Sequence, residues 1–169
     1  MVKKGAEVLR QKCTLVKDFN KVKNIIDDLG DTISYLKSIH DFRRGIGLAA
    51  PQIGETIRIS VAEYDGKRYV LINPEIIENS DIKTPIREGC ISFFEYRGMV
   101  PRFERVKVKA FNRDGKEYFI EAYGDFAMLL QHEMDHLDGI LYIDHLPNGE
   151  NSLILVKKQG RVNSLRAIP

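Results

Sequence analysis

The sequence predicts an α+β fold in which mostly antiparallel sheets pack around one central, buried helix. Three observations lead there. An amphipathic stripe comes early, two segment pairs joined by Gly-containing turns follow, and helical periodicity returns near the end with no strand–helix–strand alternation between. Val22, Ile25, Ile26, Leu29, Ile33, Leu36 and Ile39 step by three and four, which predicts a helix within residues 18–40, starting at Asp18 or Asn20. Gly30 falls in mid-stripe and costs about 1 kcal/mol relative to Ala, so a bend or break is expected there. Residues 57–64 and 68–73 read as strands flanking a turn at Asp65-Gly66. Residues 106–111 alternate strictly and turn through residues 112–115 into 118–122, a second hairpin with a basic outer face. From Asp125 the period is helical again through Leu137, and Gly139 stands where a left-handed cap closes such a helix.

Length and composition bound the function. A chain of 169 residues without repeats or linker-like stretches is expected to form one domain over residues 1–169. The 26 Lys+Arg against 24 Asp+Glu are too balanced to point to nucleic acid as the main ligand. No apolar run is long enough for a membrane helix. Cys13 and Cys90 cannot build a disulfide framework, which fits a reducing interior. The amino terminus has neither a signal core nor an Arg- and Ser-rich transit character, so a bacterial cytoplasm is expected. From Asn151 onward the chain carries Lys157, Lys158, Arg161 and Arg166 and no acid, which reads as a solvated terminus or a polyanion contact.

The strongest local signal is the HEMDH of residues 132–136 on the last predicted helix. Two imidazoles four residues apart share a helix face and reach one metal ion, and Glu133 can handle the proton of a water there. Five-residue matches also arise by chance, but buried His and Glu cost several kcal/mol without partners, and the flanking leucines predict burial. A third ligand is needed. Extended as in metzincins, the motif would place it at Tyr142, a poor ligand, and the one later glutamate, Glu150, sits in a Pro-Asn-Gly loop, so neither protease pattern is completed. His145 is one candidate. Cys90, in the EGCIS of residues 88–92, is another, and a soft thiolate suits zinc or ferrous iron. The small residues of GIGLAAPQ at 45–52 allow close backbone approach, and Gln52 ends that stretch with an amide donor.

Together these segments resemble the peptide deformylase family, whose motifs have the forms GφGφAAPQ, EGCφS and QHExDH, with φ apolar. They occur here as residues 45–52, 88–92 and 131–136, in that order and with similar separations. The resemblance implies removal of the N-formyl group from the starting methionine of nascent chains, with release of formate. It implies Cys90, His132 and His136 as metal ligands and Glu133 as general acid/base. Gln52 and the Ile91 backbone N–H would hold the developing oxyanion. The implied metal is Fe2+, replaceable by Zn2+, Ni2+ or Co2+. Such a metal brings water toward neutral pKa, and the resulting hydroxide would attack the formyl carbon. Ile46 and Gly47 would pair the peptide backbone as an added strand, and Arg97 would meet the peptide beyond its first residue. A monomer is expected, with transient ribosome contact through the basic tail. Two readings stand beside this one: a metallo-amidase or peptidase acting on another substrate, and a structural metal module, which would close all four metal positions with protein ligands. The chain departs from many relatives at Phe93-Phe94-Glu95-Tyr96, where a proline and a glycine are common.

Overall fold

Helix α1 (Lys23–Ile39) buries the predicted stripe through Ile26, Leu29, Ile33 and Leu36. Its start is later than the spacing predicts: Asp18 accepts from the Asn20 backbone N–H at 3.0 Å, so it caps a preceding turn instead. Helix α1 also runs unbroken through Gly30. The missing side chain makes room for Arg68, whose Nη1 would lie 2.8 Å from a Cβ at this position, so Gly30 serves packing and not bending. The computed structural model describes residues 2–3, 5–42 and 44–156, and the tail residues Lys157, Lys158, Arg161 and Arg166 lie outside them.

Strands β1 (Ile46–Ala49), β2 (Ile59–Tyr64) and β3 (Lys67–Asn79) begin a five-stranded antiparallel sheet. The turn between β2 and β3 is the expected two-residue hairpin, with positive φ at Asp65 and Gly66 and Tyr64 opposite Lys67. Strand β3 continues beyond Asn73 despite Pro74. A register shift after Ile72 lets the proline sit where no ladder bond is needed, while the Asn73 side chain bonds both backbone groups of Val16. Strands β4 (Lys83–Glu88) and β5 (Tyr96–Phe103) form a hairpin with no clear sequence signal, since Pro85 and Pro101 face each other in it and break the alternation. Strands β6 (Arg105–Phe111) and β7 (Glu117–Tyr123) complete the large sheet in the order β1-β2-β3-β6-β7. The basic face of this hairpin is neutralised by β3, with Lys107 on Glu78 and Lys109 on Glu75 at 3.0 and 2.9 Å.

Helix α2 (Gly124–Leu137) carries the HEMDH residues and is buried over most of its length. Gly139 ends it in a left-handed conformation, and the Ile140 and Gly139 N–H groups return to the carbonyls of Asp135 and His136. Strand alternation separates the two helices. Val61 and Ile72 join the apolar cluster of α1, whereas their neighbours Ala62 and Leu71 join that of α2, so the helices cover opposite faces of the sheet. Strand β8 (Ile154–Leu155) pairs with β5 beside β4 as a smaller sheet. No helix among the described residues is long and apolar enough to cross a membrane.

Candidate active site

The GIGLAA pattern explains how α2 reaches the sheet edge. Ile46 and Leu48 point to the α1 side, which leaves Gly45, Gly47 and Ala49 on the α2 side. A Cβ at Gly47 would lie 2.3 Å from Oε1 of Glu133, so only glycine lets Glu133 lie against β1. The close approach read from these small residues is therefore that of the helix. Strand β1 is the edge of its sheet, hydrogen-bonded to β2 alone among the described residues.

Cys90, His132 and His136 converge, with one ligand atom from each lying within 4.8 Å of the others, and all three are buried. Cys90 Sγ is 3.2 Å from Nε2 of His136, and the two imidazole rings stand nearly perpendicular, 5.0 Å between centroids. Helix periodicity supplies the two imidazoles. The turn Ile91–Phe93 after β4 supplies the thiol, held as Phe93 N–H bonds the Cys90 carbonyl at 2.9 Å. Burial opposes charge on Cys90 and His132, yet their neighbours outweigh it: the thiol lies well below its ordinary pKa and the His132 imidazole well above. This soft–borderline donor set fits a divalent transition metal. His145, the other candidate, bonds Asp135 at 2.8 Å and is not one of the three.

Behind His132 runs a buried ionic chain. His132 Nδ1 meets Glu88 at 3.0 Å, Arg102 grips both Glu88 oxygens at 2.6 and 3.2 Å, and the same guanidinium reaches Asp135 at 2.6 Å. The imidazole and guanidinium more than offset burial and hold the Glu88 carboxyl below its usual range. A carboxylate at Nδ1 fixes the ring so that its other nitrogen faces the ligand group. Sequence reasoning missed Glu88, Arg102 and Asp135 in this role. Glu88 was findable, since a ligating His needs an orienting partner and the glutamate opens the EGC motif, whereas no spacing links Arg102 to the site.

On the other side lies a cleft of about 460 Å³ lined by Gly47, Gln52, Cys90, Ile91, His132 and Glu133, with Ile46 and Arg97 at its walls. Glu133 is buried, its Oε2 has no hydrogen-bond partner, and burial pushes its carboxyl up to about 7. Gln52 is also buried. Its Oε1 accepts from the Ala49 N–H at 2.9 Å, which turns Nε2 toward Ser92 Oγ at 3.3 Å and Cys90 Sγ at 3.5 Å. Arg97 crosses above Gly89, where a Cβ would meet it at 2.5 Å, and Nη1 bonds the carbonyls of Phe94 and Tyr96.

The comparisons with known proteins agree with this geometry. The family model of polypeptide deformylase matches residues 1–152. The chain is 44% identical over 149 residues to a peptide deformylase of Heliobacterium modesticaldum, covering 88% of this chain and 93% of that protein. It is 47% identical over 140 residues to peptide deformylase 1 of Bacillus subtilis, covering 81% and 82%. The crystal structure of peptide deformylase from Thermus thermophilus superposes with a TM-score of 0.78 at 38% identity, covering 88% of this chain and 85% of that one. A Synechococcus elongatus peptide deformylase in complex with actinonin superposes with a TM-score of 0.78 at 32% identity, covering 86% and 77%. With a buried Cys-His-His cluster set in a cleft at a sheet edge, and with likeness reaching across most of its length, the chain belongs to the polypeptide deformylase family of metallo-hydrolases.

Proposed function

We propose that this protein hydrolyses the formyl amide of formyl-methionyl nascent peptides, releasing formate and a free amino terminus. The observation that carries the reading is the unpartnered, buried Glu133 carboxylate oxygen beside the three convergent donors, in a cleft bordered by an edge strand. Cys90, His132 and His136 would hold one divalent ion, Fe2+ by the resemblance, with Zn2+, Ni2+ or Co2+ as substitutes. The ion, when bound, supplies Lewis acidity that activates water and polarises the formyl oxygen.

The chain's own residues do the rest. Glu133 takes a proton from the attacking water at Oε2 and gives it to the leaving amine nitrogen. Gln52 Nε2 and the Ile91 N–H donate to the oxygen that gains negative charge, with the Ala49 bond holding the Gln52 amide in place beforehand. Ile46 and Gly47 offer the free edge of β1 to the peptide backbone, which recognises a chain with little regard to its side chains. Arg97, tethered to its own loop, flanks the exit of the peptide.

The three-donor cluster with a cleft in front favours catalysis over a closed structural site. The test is a substrate comparison: formyl-Met-Ala-Ser, acetyl-Met-Ala-Ser and an unblocked Met-Ala-Ser peptide, with every product identified. Formate from the first alone is expected. Cleavage of an internal peptide bond, or equal turnover of the acetyl peptide, would overturn the assignment.

A further inference from the structure

The two phenylalanines of the loop after Ser92 have separate roles. Phe93 is 3% exposed and packs edge-on against Tyr142, 5.5 Å between centroids, so it anchors the loop in the core. Phe94 is 40% exposed and lines the cleft mouth together with Phe42. Its ring lies 4.4 Å from that of His40, which in turn meets Phe42 edge-on at 6.1 Å. These contacts join the chain leaving α1 to the loop after Cys90.

The backbone around Phe94 is fixed from both sides. Arg97 Nη1 bonds the Phe94 carbonyl at 2.9 Å, and the Val156 N–H bonds the Glu95 carbonyl at 2.7 Å. A half-exposed aromatic ring held this way is preorganised, and binding to it loses little ordering entropy. Its place along the cleft follows from the chain. Phe94 comes directly after the Ile91–Phe93 turn, four residues beyond Cys90, and lines the same cleft as Cys90 and Glu133.

We propose that Phe94, braced by His40, is a specificity platform for an aromatic side chain at the second or third residue of the formyl peptide. The proposal rests on the deformylase reading above, and the occupant follows because the platform is continuous with that cleft. An aromatic contact of this kind corresponds to about a three- to tenfold preference.

The test compares formyl-Met-Ala-Ala, formyl-Met-Phe-Ala and formyl-Met-Ala-Phe with the wild-type protein and with Phe94→Ala. One aromatic peptide is expected to show about a three- to tenfold higher kcat/KM, expressed mainly in KM, and Phe94→Ala is expected to bring the ratio close to one. His40→Ala, at an exposed position, serves as a second variant and is expected to reduce the same ratio. Equal kcat/KM for all three peptides in the wild type overturns the platform and leaves deformylation intact, as does a preference that survives both substitutions. Formate from none of the peptides contradicts the deformylase reading itself, and the platform falls with it.

Discussion

The two sides of the HEMDH helix face opposite electrostatic conditions. Behind His132, every charge is paired: Glu88, Arg102, Asp135 and His145 hand one interaction to the next, and the Glu88–Arg102 side chains are 0% and 4% exposed. In front, Glu133 is equally buried but keeps an oxygen without a partner. The contrast separates positioning from reaction. On the proposed function, His132 as a ligand would be held in one orientation by the paired chain behind it, whereas Glu133 as a proton carrier would need the lone pair that its unpartnered oxygen keeps.

The largest effect is expected at the unpaired side. Glu133→Gln should lower kcat by about 10²–10⁴-fold with bound metal unchanged, measured by formate release and metal analysis on the same sample. Gly47→Ala tests how tightly that side is built, because its Cβ would displace the Glu133 carboxylate. A loss of about 10²-fold in kcat/KM with an intact fold is expected, since misplacement by about 1 Å can cost that much. On the paired side the outcome should differ in kind. Glu88→Ala removes one of the two carboxylates that pair with the buried Arg102 and the partner of His132 Nδ1, so a stability loss of about 3 kcal/mol by denaturant titration is expected. The metal affinity of that variant should fall about 10–100-fold.

The two cysteines sharpen the same comparison. Cys13 lies under Leu137, and burial pushes its thiol up to about 11, whereas Cys90 lines the cleft and lies far below its ordinary pKa. After chelation, iodoacetamide should therefore label Cys90 well before Cys13, and restored metal should protect it, as read by peptide mass analysis. The smallest effect belongs far from the site. Gly30→Ala gains helix propensity but pushes the flexible end of Arg68 off the Gly30 carbonyl and Ser34, so its net change should stay within about 0.5 kcal/mol.

Much of this was legible in the chain. Helix α2 announced itself through spacing and a glycine cap, and the hairpin at Asp65-Gly66 through turn chemistry, because both signals are local. Motif order located the donors and Glu133. What could not be read depends on contacts distant in sequence. The β4–β5 hairpin lacks alternation because two prolines face each other in it. Arg102 earns its place only through Glu88 and Asp135, fourteen and thirty-three positions away. Gly30 looked like a helix breaker because its reason for being glycine, Arg68, comes from a strand.

The central claim is that Cys90, His132 and His136 hold the ion on which formyl hydrolysis depends. It is tested most directly by purifying the protein without oxygen, quantifying bound metal, and measuring formate release from a formyl-Met tripeptide as metal is removed and restored. The account predicts turnover proportional to metal content up to one ion per chain, with Fe2+ the working ion. One tightly bound ion per chain with no formate released would contradict it.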